Sequence, residues 1–130
     1  MTRLAYVDAS AIVKLVLHEP DTNSMVRWFV ESERVATSVL GVIETRRAVA
    51  RRSHDAAHLR SVLATLVTLD LDDFIARSAS AVRPPSLRTL DAVHLATALS
   101  LGVELDAFVT YDDRLAAAAR GLGLPVVRPA

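Results

Sequence analysis

The chain has 130 residues, which is enough for one domain with a sizeable buried core. It contains no cysteine, and this excludes disulfides, thiolate zinc sites and cysteine nucleophiles. Its 15 basic and 15 acidic residues give a formal net charge of zero, so its overall charge does not indicate a nucleic-acid-binding protein. Lys14 is the only lysine. The other 14 basic residues are arginines. The guanidinium of arginine can bind phosphate bidentately, but a compositional bias explains this excess of arginine over lysine more simply.

The amino-terminal segment gives no sign of export. Its apolar run, Leu4 to Val7, is too short for a signal peptide and ends in an acid. The chain also lacks a run of 18 apolar residues that could span a bilayer. We therefore expect one cytoplasmic domain over residues 1–130, without a membrane partner.

Hydrophobic patterns predict short strands that alternate with helices. In chain order, the predicted strands are Leu4–Val7, Arg34–Thr37, Val67–Leu71, Ala107–Thr110 and Pro125–Val127. The predicted helices are Ser10–Leu17, a helix capped by Asp21 or Thr22 that reaches Val30, Ser38–Arg52, Asp55–Leu66, a helix from Asp72-Asp73 to the break at Arg83-Pro84-Pro85-Ser86, Leu90–Leu101 before Gly102, and Asp112–Leu122 with Gly121 or Gly123 at its end. This alternation predicts an α/β fold: a mainly parallel five-stranded sheet flanked by helices on both faces.

Four acids lie where strands give way to helices, each within apolar sequence: Asp8, Glu44, Asp91 and Asp112. Asp8 closes the first strand, Asp112 lies just past the fourth, Asp91 falls in the first turn of a buried helix, and Glu44 is mid-helix. Carboxylates are rarely buried unless they are paired or bind a metal, and ligands of parallel sheets bind at the carboxyl ends of the strands. We therefore expect the four acids to share one site.

Helix capping offers a purely structural explanation for an aspartate at the start of a helix. It accounts well for Asp112, poorly for Asp8, and not for Glu44, whose helical neighbours Leu40 and Ala48 are apolar. One shared site is the simpler explanation of all four.

Oxygen ligands suit Mg²⁺ or Mn²⁺ rather than zinc or copper. Such a cation lowers the pKa of a coordinated water and neutralises phosphate charge, which is what phosphodiester hydrolysis requires. Ser10 and Thr110 could hydrogen-bond a carboxylate or a metal-bound water. His94, on the same helix face as Asp91, could be a ligand or a base, but a hydrogen-bonded core position is the favoured interpretation. The other three histidines, at positions 18, 54 and 58, are expected at the surface.

Several arginines could contact a phosphate-bearing substrate. They are Arg46, Arg47, Arg51 and Arg52 on the helix that carries Glu44, and Arg83 and Arg88 before Asp91. A solvated helix face explains them equally well, and the scarcity of aromatic residues argues against a stacking platform for single strands.

At these residues the sequence resembles the PIN-domain family and, within it, the VapC-type toxins of bacterial toxin–antitoxin pairs. The resemblance covers essentially the full length. It rests on Tyr6-Val7-Asp8-Ala9-Ser10-Ala11, on Glu44, on Thr89-Leu90-Asp91-Ala92-Val93-His94-Leu95-Ala96-Thr97-Ala98, and on Val109-Thr110-Tyr111-Asp112-Asp113-Arg114-Leu115.

The resemblance implies a Mg²⁺- or Mn²⁺-dependent endoribonuclease. Asp8 and Asp91 match the implied metal-binding acids, and Glu44 and Asp112 complete the acidic cluster. Asp113 competes for the fourth position, but Thr110 sets the register in favour of Asp112. The resemblance also implies a homodimer and a cognate small antitoxin that covers the acidic cleft.

Metal-dependent cleavage of an RNA substrate is therefore the leading hypothesis, with 5′-phosphate and 3′-hydroxyl ends as the products. One alternative is a non-catalytic PIN-like module whose acids bind basic partner residues. The other is a phosphotransfer or phosphatase-like α/β domain built around Asp8, which would need a second acid beside Asp8 and a lysine near the last strands. The sequence has neither, because Asp8 is followed by Ala9-Ser10 and the single lysine is Lys14.

Overall fold

A computed structural model describes residues 2–130; the predicted domain also includes Met1, which lies outside the described residues. Five parallel strands form one sheet in the order β3-β2-β1-β4-β5. The strands are β1 Leu4–Val7, β2 Arg34–Ser38, β3 Val67–Leu69, β4 Ala107–Val109 and β5 Val126–Val127. The α-helices are α1 Ala9–Val16, α2 Thr22–Glu31, α3 Val39–Ala50, α4 Ala56–Thr65, α5 Asp73–Ala81, α6 Thr89–Leu99 and α7 Asp113–Gly121, and a 3₁₀ turn covers Gly102–Glu104. The predicted α/β class and its parallel five-stranded sheet are confirmed.

The two faces of the sheet bury separate apolar clusters because successive strand side chains point to opposite sides. Ala5 and Val7 pack on one side with residues of α1, α2, α3 and α4. Tyr6 and Phe108 pack on the other side with residues of α6 and α7. Helices therefore cover both faces, as the sequence predicts.

Helix α6 is the most buried helix of the fold, with seven consecutive buried residues, Ala92–Ala98. It ends at Leu99, two residues before the predicted end. The hydroxyls of Thr97 and Ser100 donate to the carbonyls of Val93 and Thr97, so local bonds tie down the last turn before Gly102 begins the 3₁₀ turn with φ of 63°. None of the helices in residues 2–130 has the length and apolar character that crossing a membrane requires.

Two sequence predictions about the sheet and its connections need correction. Strand β3 ends at Leu69 rather than Leu71, and Val67 and Thr68 are exposed because β3 is an edge strand that pairs only with β2. Helix α2 begins after Asp21, but neither predicted residue caps it through its side chain. Instead, the Thr22 hydroxyl accepts from the Glu19 N–H and donates to the Leu17 carbonyl, which fixes the preceding loop.

Candidate active site

Strand β1 is the point at which the strand order reverses, because β1 pairs with β2 on one side and with β4 on the other. The carboxyl ends of the strands beside such a reversal form a crevice in which ligands bind. Asp8 directly follows β1, and Asp112 lies three residues after β4. Glu44 reaches this edge from α3, and Asp91 from the first turn of α6.

Asp8 is the most enclosed of the four acids, with 4% of its surface exposed. It is also the N-cap residue of α1, and its Oδ1 accepts from the Ala11 N–H at 3.1 Å. The sequence interpretation that capping explains Asp8 poorly is therefore wrong. Capping alone does not account for the burial, because a helix can be capped equally well from a solvated position.

Two hydroxyls hold the Asp8 carboxylate. The Ser10 hydroxyl donates to Oδ1 at 2.7 Å, and the Thr110 hydroxyl donates to Oδ2 at 2.6 Å, as their sequence positions suggested. Thr110 Oγ1 in turn accepts from the Asp112 N–H at 3.0 Å, and Ser10 Oγ accepts from the Tyr111 N–H at 2.8 Å. The ends of β1 and β4 are thus joined through side chains. Burial raises the pKa of Asp8, and the bonds from Thr110 and Ser10 oppose this.

Asp91 is affected by the charges of two of the other three acids, Asp112 and Glu44. Burial raises the pKa of Asp91 most, the negative charge of Asp112 raises it further, and Glu44 adds to the effect. His94 and Arg88 oppose this increase. The charges of Glu44 on α3 and of Asp112 before α7 thus both act at Asp91 on α6.

Asp112 and Asp113 differ in environment although they are adjacent in sequence. Asp112 Oδ1 accepts from the N–H groups of Arg114 and Leu115, which caps α7, and its charge acts on Asp91. The Asp113 side chain is 92% exposed and pairs with Arg128 at 2.6 Å. This geometry favours Asp112 as the fourth acid, in agreement with the register set by Thr110.

Glu44 is held by a buried histidine. His94 Nε2 lies 2.6 Å from Glu44 Oε1, and His94 Nδ1 lies 2.6 Å from the Tyr6 hydroxyl. His94 is 3% exposed, and this matches the favoured interpretation of His94 as a hydrogen-bonded core residue. The other three histidines are exposed, as expected. Sequence reasoning missed Tyr6, since a tyrosine in an apolar strand carries no local signal of a partner 88 residues away.

The donor set suits a hard cation, because it consists of carboxylates and hydroxyls. Among residues 2–130, no three acidic or histidine side chains are close enough together to form a preformed metal-coordination site. Mg²⁺ retains several water ligands and needs only one or two direct carboxylates, so acids that do not form a complete coordination shell still fit a hydrated ion. Burial disfavours the charged forms of Asp8 and Asp91, and a cation beside them would offset that cost.

The arginines of α3 separate into two groups. Arg46, Arg47 and Arg51 line an open groove of about 770 Å³ that also contains Glu44 and Leu90. Arg52 instead pairs with Glu19 at 2.9 Å. Of the two arginines before Asp91, Arg88 acts on that carboxylate. A groove with three arginines beside Glu44 could receive a phosphate backbone.

The single lysine offers no support for a phosphotransfer site around Asp8. Lys14 Nζ lies 3.7 Å from Glu19 and 4.9 Å from the centre of the Tyr111 ring. The Lys14 ammonium group is therefore engaged by those two side chains rather than by Asp8.

Comparisons with known proteins agree with this geometry. The family model for the PIN domain matches residues 5–121. Ribonuclease VapC46 of Mycobacterium tuberculosis is 41% identical over 125 residues, which cover 95% of this chain and 96% of the relative. Ribonuclease VapC47 of the same species is 38% identical over 132 residues, with 97% of each chain covered. The chain therefore belongs to the PIN-domain family and, within it, to the VapC type.

Solved structures share the fold at lower identity. The crystal structure of VapC20 of M. tuberculosis, a toxin that cleaves the sarcin–ricin loop, superposes with a TM-score of 0.74 at 20% identity and covers 96% of this chain and 99% of its own. A toxin–antitoxin complex from Klebsiella pneumoniae gives a TM-score of 0.71 at 21% identity, with 97% and 98% covered. These similarities extend the agreement in fold across the whole sheet.

Proposed function

We propose that this protein is a Mg²⁺- or Mn²⁺-dependent endoribonuclease that acts as the toxin of a type II toxin–antitoxin pair. The observation that carries the proposal is the buried Asp8 carboxylate, which the Thr110 and Ser10 hydroxyls hold at the reversal of strand order. Its full-length relatives VapC46 and VapC47 are named ribonucleases, which supports the same chemistry.

Each acid has a distinct part in the proposed site. Asp8 and Asp91 would hold the cation directly, while Asp112 and Glu44 would act through its water ligands. When bound, such a cation lowers the pKa of a water ligand and neutralises charge on the phosphate. Thr110 fixes the orientation of Asp8, since its hydroxyl donates to Oδ2 and its oxygen accepts from the Asp112 N–H.

Hydrolysis by water predicts specific product ends. Water adds its oxygen to the phosphorus, the bond to the 3′ oxygen breaks, and that oxygen takes up a proton. The products are then a 5′-phosphate and a 3′-hydroxyl. A cyclic 2′,3′-phosphate would show that the neighbouring 2′-hydroxyl had attacked instead, which would contradict this mechanism.

The decisive experiment is cleavage of end-labelled total RNA by the purified protein with Mg²⁺ or Mn²⁺, beside a sample that contains EDTA. Asp112→Asn and Asp113→Asn form a matched pair, because they remove the same charge one residue apart. Cleavage is expected to fall about 100-fold or more in Asp112→Asn, in EDTA and in Asp8→Ala, and to stay within twofold in Asp113→Asn. Equal losses in both asparagine variants would remove Asp112 from the site.

The toxin role is tested in cells. Induced expression should arrest growth, and Asp112→Asn should abolish the arrest. The K. pneumoniae neighbour is a toxin–antitoxin complex, which supports a cognate small antitoxin as the partner of this chain. Co-expression with the product of an adjacent small gene should restore growth, and light scattering on the purified protein should give the mass of a homodimer. Growth arrest that persists in Asp112→Asn would favour the alternative of a non-catalytic binding module.

A further inference from the structure

A continuous chain of hydrogen bonds, buried from Tyr6 to His94 and partly exposed at its end, links the sheet to Glu44. It starts at Tyr6, in the middle of β1, whose ring is fully buried and stacks on Phe108 at 5.4 Å between ring centres. From the Tyr6 hydroxyl it passes through both nitrogens of His94, with 2.6 Å at each step, and it ends on Glu44 Oε1. It joins three elements, β1, α6 and α3, that meet only in the folded protein.

The direction of the hydrogen bonds in this chain follows from the donors and acceptors. A tyrosine phenol ordinarily keeps its proton at neutral pH, so the Tyr6 hydroxyl can donate to His94 Nδ1. Neutral imidazole that accepts at Nδ1 carries its proton on Nε2, and that N–H faces the Glu44 carboxylate. In the imidazolium form Nε2 also carries a proton. In either state Glu44 receives an N–H donor, and its second oxygen is left for other partners.

Gly41 permits the close approach that this chain needs. It lies one turn before Glu44 on α3 and is buried against the side chain of Thr37 on β2. A Cβ atom at position 41 would overlap the Thr37 hydroxyl oxygen and would lie 3.5 Å from His94 Cε1. The Thr37 hydroxyl is itself fixed, since it donates to the Val7 carbonyl at 2.7 Å. This explains a glycine inside a helix, where it costs about 1 kcal/mol relative to alanine.

We propose that Tyr6 and His94 are positioning residues that fix the orientation of the Glu44 carboxylate in the acidic cleft, and that Gly41 sets the distance between α3 and His94 on which this depends. The proposal rests on the proposed function in one respect, namely that Glu44 contributes to cation binding. Carboxylates around a bound metal are held by such outer hydrogen bonds, and loss of one typically lowers affinity about 10- to 100-fold.

The first test needs neither metal nor RNA. Long-range ¹H–¹⁵N NMR of the metal-free protein reports which nitrogens of His94 carry protons. The wild type should show a protonated Nε2. Tyr6→Phe should shift the population towards a protonated Nδ1, because the donor to that nitrogen is gone, whereas the matched variant Tyr111→Phe should leave the His94 signals unchanged. Tyr111 is a suitable control because its hydroxyl donates to the Pro129 carbonyl, outside the chain of bonds. An unprotonated Nε2 in the wild type would overturn the proposal.

The second test measures Mn²⁺ affinity by calorimetry in a double-mutant cycle. Tyr6→Phe should weaken Mn²⁺ binding about 3- to 10-fold in the wild type and less than twofold in a Glu44→Gln background. A general effect of Tyr6 on the fold would lower affinity equally in both backgrounds, and that result would contradict a positioning role. At position 94, His94→Gln retains an N–H near the Nε2 position and should bind Mn²⁺ more tightly than His94→Leu, which has no donor.

The third test uses the packing of Gly41. Gly41→Ala should weaken Mn²⁺ binding to a similar degree as Tyr6→Phe, and Thr37→Ala should restore it, since that change removes the hydroxyl that the new methyl group would overlap. Failure of the double variant to recover, with a folded circular-dichroism spectrum, would show that the distance set by Gly41 does not matter. If the wild type binds no Mn²⁺, the proposed nuclease fails, and the NMR comparison alone decides whether Tyr6 and His94 orient Glu44.

Discussion

Two aspartates join β1 to the region of β4, Asp106 at the amino ends of these strands and Asp8 at their carboxyl ends. They differ in burial and in hydrogen-bond partners. At the amino edge, Asp106 Oδ2 accepts from the N–H groups of Arg3 at 2.8 Å and Leu4 at 3.4 Å, and the residue is exposed. At the carboxyl edge, Asp8 is 4% exposed and accepts from Thr110 at 2.6 Å. Both carboxylates hold the same pair of strands together.

The difference lies in the cost of keeping each carboxylate charged, which is small for Asp106 and large for the proposed site residue Asp8. Asp106 remains in contact with water and performs its role without being desolvated. Asp8 performs a similar joining role but is buried, which raises its pKa and makes its charged form costly. A fold can retain such a cost where activity depends on it, which is why we propose Asp8 as a site residue.

The largest expected effect is on RNA cleavage, and it distinguishes Asp8 from Asp106. Asp8→Asn should lower RNA cleavage about 100-fold or more, because it removes a proposed direct ligand of the cation. Asp106→Asn should leave cleavage within twofold. Both variants should be assayed at equal concentrations of folded protein. Comparable activity in the two would show that burial does not mark the functional acid.

Thr110→Val should produce the next largest effect, on stability. It removes the donor to Asp8 and the acceptor of the Asp112 N–H, so we expect the free energy of unfolding to fall by about 1–3 kcal/mol. Urea denaturation gives the value. Thr110→Ser keeps the hydroxyl and should recover most of the loss; an equally unstable serine variant would point to the methyl group instead.

Asp106→Ala should reduce stability by about 1 kcal/mol, which is the usual size of exposed hydrogen bonds to backbone N–H groups. The same urea experiment measures this change. A loss larger than that of Thr110→Val would mean that Asp106 contributes more to the free energy of unfolding than the bonds of Thr110 do.

The smallest expected effect is an increase in stability, whereas the two preceding variants lose stability. Asp91→Asn should raise the melting temperature of the metal-free protein by roughly 1–3 °C, because it removes a charge that burial and Asp112 disfavour. Added Mg²⁺ should stabilise the wild type more than this variant. A lower melting temperature for Asp91→Asn without metal would mean that the carboxylate makes a stabilising contact.

Local signals account for most of what the sequence predicts. Helix starts at Ser38, Asp55, Asp72 and Asp112 are correct to within one residue, because each of these side chains caps a backbone N–H only two or three residues away. Strand β1 is predicted with its observed bounds, since a central parallel strand is apolar on both faces.

Long-range partners explain what the sequence does not predict. The bonds of His94 reach residues 50 and 88 positions away, and periodicity contains no information on such contacts. Gly41 does give a signal in the sequence, because a glycine inside a predicted helix suggests that another part of the chain packs closely against the helix backbone. The approaching atom, on Thr37, becomes known only once α3 is placed against β2.

The double role of the Thr110 hydroxyl has a consequence for protein synthesis. Asp8 emerges from the ribosome early, whereas Thr110, which donates to its carboxylate, follows about a hundred residues later. Since chains are made at about 5–20 residues per second, the first helices have seconds to form while the cleft is still incomplete. The topology thus leaves the Asp8 carboxylate without its Thr110 donor until β4 and the start of α7 have been made and have packed beside β1.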